Sequence, residues 1–298
     1  MSRSLKAHIL LVLATFVWGA TFVQIKNALA DISPLLFNAV RMTLAAALLA
    51  AVYRRQIAQM RVPALRAGLL VGTFLALGYE FQTTGLKLTT PSKSGFLTGV
   101  SVVLVPVFLV LFWRRTVKPW TAIGVTSAFV GLYLLTVPAN GQNRWTGDFA
   151  SVNRGDVLTL ICAVCFGFQI ILLGRATRKH RFEQIAFLQT ATSAALMFLL
   201  VPLLEEPRVV WSSNVIWAIL VTGILGTAAA FSAQAWAQQF LPPTNTALIF
   251  TLEPVFAWLT SYVVLGERLG VRAAVGAVLI LAGVVASEVL GGTGEERG

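Results

Sequence analysis

The feature that most constrains this chain is a succession of stretches about 20 residues long, each apolar on every face. They fall at 8–29, 35–53, 65–86, 94–113, 119–137, 155–174, 184–204, 213–234, 244–264 and 271–290. A helix of about 20 residues, at 1.5 Å per residue, crosses the ~30 Å hydrocarbon layer of a bilayer. A soluble helix keeps a polar face, and these have none. Only 12% of the residues are charged, against about 25% in a soluble domain, so the chain lacks the polar surface to meet water all round. The sequence predicts an all-α integral membrane protein of ten transmembrane helices.

The remaining composition fits that reading. The net charge of +11 is spread between the apolar stretches rather than gathered into one basic patch with interleaved aromatics, which argues against nucleic acid as a partner. Arg3 and Lys6 precede the first stretch as in a signal peptide, yet that stretch runs on to Lys26-Asn27 without a small-residue cleavage site, so it reads as an uncleaved span. Cys162-x-x-Cys165 lies inside an apolar run with no second pair, and reads as two small packing residues. Basic residues fix the orientation. Arg54, Arg55, Arg61, Arg66, Arg114, Arg115, Lys118, Arg175, Arg178, Lys179 and Arg181 fall on one side, and Lys26, Lys87, Lys93, Arg144, Arg154, Arg208, Arg268 and Arg272 on the other. The positive-inside rule then puts both termini in the cytoplasm of a cell (inner) membrane protein.

The chain also repeats itself. Phe37–Leu48 resembles Ile185–Leu196, Trp18-Gly19 falls against Phe166-Gly167, and Pro91-Ser92-Lys93-Ser94-Gly95 matches Pro243-Thr244-Asn245-Thr246-Ala247. Gly124 and Gly131 match Gly276 and Gly283. The halves are a first repeat at 1–140, a connecting loop at 141–154, and a second repeat with a short tail at 155–298. Five spans per half is odd, so the second half enters the membrane from the opposite side, as two inverted five-helix repeats. The small-residue faces of the fifth and tenth spans suit close helix packing, within the chain or between copies.

No reaction motif, cofactor site or metal-ligand cluster appears, which argues against an enzyme. Without an ATP-binding motif, any transport runs downhill or on an ion gradient, a coupling proton included. The informative residues are polar groups inside the spans, where an ionisable side chain costs about 2.5–3.5 kcal/mol to insert and should face a cavity or a partner. Arg41 either snorkels to the outer interface or lines a cavity wall. Glu80, deep in the third span, is either a partner for a base such as Arg41 or a proton or substrate-amine site. Glu253 before Pro254 reads as a helix-end or kink feature, because proline leaves a backbone carbonyl unpaired. Lys93 and its counterpart Asn245 open the fourth and ninth spans, where the positive helix end favours anionic groups. Gln169 and Gln234 supply neutral hydrogen-bonding groups, and Trp18 lies within a span rather than in an interfacial belt.

These residues also carry a resemblance. Phe16-Val17-Trp18-Gly19-Ala20-Thr21-Phe22, then Arg41, then Phe81-Gln82-Thr83-Thr84-Gly85-Leu86-Lys87-Leu88-Thr89-Thr90 and Gly95-Phe96-Leu97-Thr98-Gly99 stand in an order similar to the EamA family of the drug/metabolite transporter superfamily. Leu252-Glu253-Pro254-Val255-Phe256 and Leu265-Gly266-Glu267-Arg268-Leu269 extend the likeness over most of the chain. The resemblance implies two inverted five-helix halves around a central cavity, and export of metabolites such as amino acids. It implies cavity positions at Trp18, Glu80, Gln169, Gln234 and Asn245 and a structural or gating position at Arg41; by their own placement Lys93 joins the cavity candidates, and Glu253 and Pro254 the structural or gating ones. A permease for a sugar or nucleotide-linked metabolite would call for more cavity Lys or Arg than are present. An enzyme acting on a lipid carrier would call for interfacial carboxylate pairs.

Overall fold

The computed structural model describes residues 2–89, 91–137, 139–140, 143–147, 153–265 and 270–290. Nearly all are helical: α1 (Arg3–Ala28), α2 (Pro34–Val52), α3 (Val62–Leu88), α4 (Lys93–Trp113), α5 (Pro119–Thr136), α6 (Arg154–Lys179), α7 (Phe182–Leu204), α8 (Ser213–Ala237), α9 (Pro243–Phe250, then Glu253–Leu265) and α10 (Val271–Leu290). Among the described residues, nine helices are long and apolar enough to cross a membrane. The exception is α9, expected as one span over 244–264. Its first part ends at Phe250, four residues before Pro254, whose ring crowds that carbonyl and which offers no N–H to it.

Local chemistry sets the helix ends. Proline occupies the first turn of α2, α3, α5 and α9, where a missing N–H costs nothing. Asn153 and Asp156 form a capping box at the start of α6, with reciprocal bonds of 3.0 and 3.1 Å. In the stretch expected as a plain loop, Ala139–Asn140 and Asn143–Gly147 pair as a short antiparallel hairpin. The Gly266–Leu269 part of the last family-like motif lies outside the described residues.

The packing is reciprocal between the halves. The first helix of one half lies against the third and fourth of the other: α1 on α8 and α9, and α6 on α3 and α4. Likewise α2 packs on α7, and α5 on α10. The α5–α10 seam needs its glycines. A Cβ on Gly131 would sit 2.5 Å from the Gly276 carbonyl oxygen, and one on Gly124 would sit 2.6 Å from that of Gly283. The small faces of these two helices therefore serve packing within the chain. Outward-facing residues such as Leu111, Leu203 and Val263 are exposed, as lipid contact requires.

Candidate functional site

Where α1, α3, α4, α6, α8 and α9 converge, they enclose a cavity of about 560 Å³. Its aromatic lining follows the same reciprocity. Trp18 of α1 meets Phe231 of α8 at 5.5 Å between ring centroids, and Phe166 of α6 meets Tyr79 of α3 at 5.4 Å. Tyr79 and Phe231 then meet each other at 6.0 Å, joining the two pairs. Trp18 also packs on Phe250 at 5.0 Å. Its indole N–H donates to the Gly226 carbonyl at 2.7 Å, within a π-helical stretch of α8, Thr222–Ala229. Such stretches recur at functional sites. The lining reaches exposed Lys26 near the end of α1, and Thr136 at the end of α5. At the opposite end, where α1 begins, Ala7, Leu11, Ala237 and Leu241 belong to a buried apolar cluster.

Four glutamines form a polar wall. The Gln169 amide donates to Gln189 Oε1 at 3.0 Å, and Gln234 donates to Gln169 Oε1 at 3.4 Å and to Gln238 Oε1 at 3.5 Å. Gln238 donates to the Ile170 carbonyl at 3.0 Å. All four are buried, yet Gln189 Nε2 and Gln234 Oε1 have no partner among the described residues. Gln169 and Gln234 line the cavity. A buried amide with open valences is costly unless something visits it.

Besides Lys26, two further charged groups line the same space, Arg41 and Glu253. Arg41 is 4% exposed, and its guanidinium lies over the ring of Tyr79 at 4.2 Å and near that of Phe37 at 5.4 Å. It turns inward and does not snorkel. Glu253 enters from the first turn of the second part of α9, beside Pro254. Among the described residues neither forms an ion pair, and Arg41 does not pair with Glu80. Glu80, Lys93 and Asn245 stand outside the lining. Glu80 Oε1 accepts from the Thr84 hydroxyl at 2.7 Å, while its Oε2 is buried without a partner.

Lys93 and Asn245 instead belong to two ties that cross between the halves. Lys93 Nζ lies 3.8 Å from Asp156 Oδ2, and Asp156 also accepts from the Thr89 hydroxyl at 2.5 Å. Asn245 donates to Glu288 Oε1 at 2.8 Å, and Glu288 Oε2 lies 2.7 Å from His8 Nε2. Sequence reasoning missed Asp156, His8 and Glu288, although the repeat contained a signal. The offset that sets Trp18 against Phe166 (166 − 18 = 148) also sets His8 against Asp156 (156 − 8 = 148). Tyr79, Phe231 and Trp258 of the lining were missed too, because an aromatic residue in an apolar span reads as packing.

Comparison with known proteins decides the family. The EamA-like transporter family matches residues 5–137 and again 153–287. The chain belongs to the EamA-like transporter family. The two matches divide the chain between its two halves. An uncharacterized transporter of Archaeoglobus fulgidus is 32% identical over 290 residues, covering 95% of this chain and 86% of that protein. The threonine/homoserine exporter RhtA of Escherichia coli is 28% identical over 212 residues, covering 71% of this chain and 65% of RhtA. A solved crystal structure shares the fold with a TM-score of 0.78 at 19% identity, covering 95% of this chain and 96% of that one. Membership of this transporter family, with nine described helices long and apolar enough to cross a membrane, supports a multi-pass membrane protein.

Proposed function

We propose that this EamA-family chain is a secondary transporter that exports a small metabolite, an amino acid being the best fit, by alternating access. The observation that carries the reading is a single cavity built reciprocally by both halves and bracketed by two ties that each join one half to the other. A cavity of about 560 Å³ lies in the range that small-molecule sites occupy. In this reading the broken α9 counts as one span. The chain then crosses ten times, the five-helix halves are inverted, and both termini face the cytoplasm of the cell membrane.

The state described is open toward the ends of α1 and α5, which are extracellular in this orientation. The apolar cluster around Leu11 and Leu241, with the His8–Glu288–Asn245 tie, closes the cytoplasmic end. Rocking the halves apart at that tie would expose the same cavity inward. The name of RhtA supports an amino acid as cargo, and the mixed lining of aromatic, amide and charged groups suits an amphipathic solute. A counterflow screen in proteoliposomes with labelled amino acids, sugars and nucleotides tests the reading. An amino acid should show transient uphill uptake driven by its unlabelled counterpart. Absence of counterflow for every amino acid, with a sugar or nucleotide active, would reject it.

A further inference from the structure

Arg41 and Glu253 are opposite charges that face one cavity, and neither has an ionic partner among the described residues. Sequence reasoning placed both among structural or gating positions. A structural arginine in an apolar span is expected to pair with a carboxylate, and a structural glutamate to cap or bond a neighbour. Arg41 instead rests on the faces of Tyr79 and Phe37, and its Nε is buried without a hydrogen-bond acceptor. Glu253 has no ionic or side-chain hydrogen-bond partner either, and its carboxylate is not among the sealed polar atoms. Tyr79, which the Arg41 guanidinium covers, lines the same cavity as Glu253. Apolar side chains, among them Trp18, Leu75, Phe231 and Phe250, line the cavity too.

We propose that Arg41 and Glu253 are the two poles of a clamp for a zwitterion, Arg41 taking its carboxylate and Glu253 its ammonium, with an apolar side chain lodged among the aromatic rings. The inference rests on the reading of the cavity as a substrate site. Its geometry accounts for three observations together. The guanidinium lies over the Tyr79 ring at 4.2 Å and forms no ion pair among the described residues, which leaves its charge for a carboxylate. The carboxylate of Glu253 is offered at the first turn of a helix whose break at Thr251–Leu252 lets that turn face the cavity. The same lining holds Gln169 and Gln234, whose amides add neutral hydrogen-bonding groups to the cavity. Each charge is answered only when a molecule carrying both opposite charges occupies the space, which favours a zwitterion over a simple anion or cation.

Binding in detergent micelles separates this clamp from transport, read by the fluorescence of tryptophans such as Trp18 and Trp258 in the cavity lining. Three probes share one ring and chain: phenylalanine, 2-phenylethylamine and 3-phenylpropanoate. The intact protein should bind phenylalanine about tenfold or more tightly than either single-charge analogue, the effect of losing one charged hydrogen bond. Glu253→Gln should erase the preference over 3-phenylpropanoate and keep that over 2-phenylethylamine. Arg41→Gln should do the reverse. Glu253→Asp and Arg41→Lys should each restore part of the lost preference, which a general folding defect would not allow. Equal affinity of the intact protein for the three probes, no binding of phenylalanine, or a variant that weakens all three alike overturns the clamp. Crossed selectivity in micelles without counterflow in vesicles would leave the clamp standing and remove the transport reading.

Discussion

Gly19 offers a sharp test of how the cavity is held in shape. A Cβ at this position of α1 would lie 2.6 Å from the Glu253 carbonyl oxygen and 2.8 Å from the Ala257 nitrogen, both backbone atoms of α9. Relief to an ordinary contact of 3.4 Å requires the two helices to part locally by about 0.8 Å (3.4 − 2.6). Overpacking of this kind costs about 1–3 kcal/mol when the neighbours are well packed. Because the displaced backbone carries Glu253, a shift near 1 Å also threatens the site, and misplacements of that size cost on the order of 100-fold in other positioned sites. Gly95 of α4 is the matched control, since it lines the same cavity and a Cβ there meets nothing within 4 Å. Reversible unfolding in mixed micelles should show Gly19→Ala destabilised by about 1–3 kcal/mol. Gly95→Ala should be neutral or slightly stabilised, as alanine replaces glycine in a helix. Counterflow should fall for the first variant and persist for the second. Equal stability and equal counterflow for the two variants would refute the claim that backbone contact between α1 and α9 sets the cavity.

Three further outcomes follow from the same geometry. Gln234→Leu removes the donor to both Gln169 and Gln238 and should cost about 1–3 kcal/mol in micelle unfolding; a neutral result would mean the glutamine wall bears no strain when cut. Lys93→Ala should cost less than Asp156→Ala, because at 3.8 Å the Lys93–Asp156 contact is longer than a hydrogen bond. Asp156→Ala loses a capping box as well and should cost about 1 kcal/mol or more, so the reverse order of the two variants would contradict this account. Glu80→Gln should abolish the pH dependence of uptake in proteoliposomes if Glu80 carries the coupling proton, and an unchanged pH profile removes it from that role.

The fold was legible because the bilayer leaves few choices. Runs such as 155–174 and 184–204 must be helices once they are too long and too apolar for water. The repeat was legible where it rests on turn and packing residues: Pro91 against Pro243, and Gly124 and Gly131 against Gly276 and Gly283. The break in α9 was half legible. Pro254 announced a disturbance, but only packing of α1 on α9 at Gly19 shows where the freed turn points. The cavity was legible at Trp18, Gln169 and Gln234, whose polar atoms had no reason to be inside a span. Arg41 and Glu253 were visible as anomalies, yet sequence alone could not say that neither has an ionic partner among the described residues. That is a three-dimensional fact, set by Tyr79 from α3 and by the turn of α9. Lys93 and Asn245 looked like cavity residues because helix starts favour anions. The structure instead brings Lys93 to Asp156 on the opposite half and Asn245 to Glu288 on its own half, which only the packing of α4 on α6 and of α9 on α10 determines.

The central claim is that one cavity is exposed alternately to the two sides of the membrane. In a background with Cys162 and Cys165 replaced by alanine, a single cysteine at Thr136 reports the open end, and one at Leu241 reports the closed end. The measurement is labelling of each by a thiol reagent in vesicles, with and without saturating phenylalanine. The account predicts reciprocal change, one position losing reactivity as the other gains it. Parallel change at both positions, or Leu241→Cys staying sealed under every condition that supports counterflow, would contradict it.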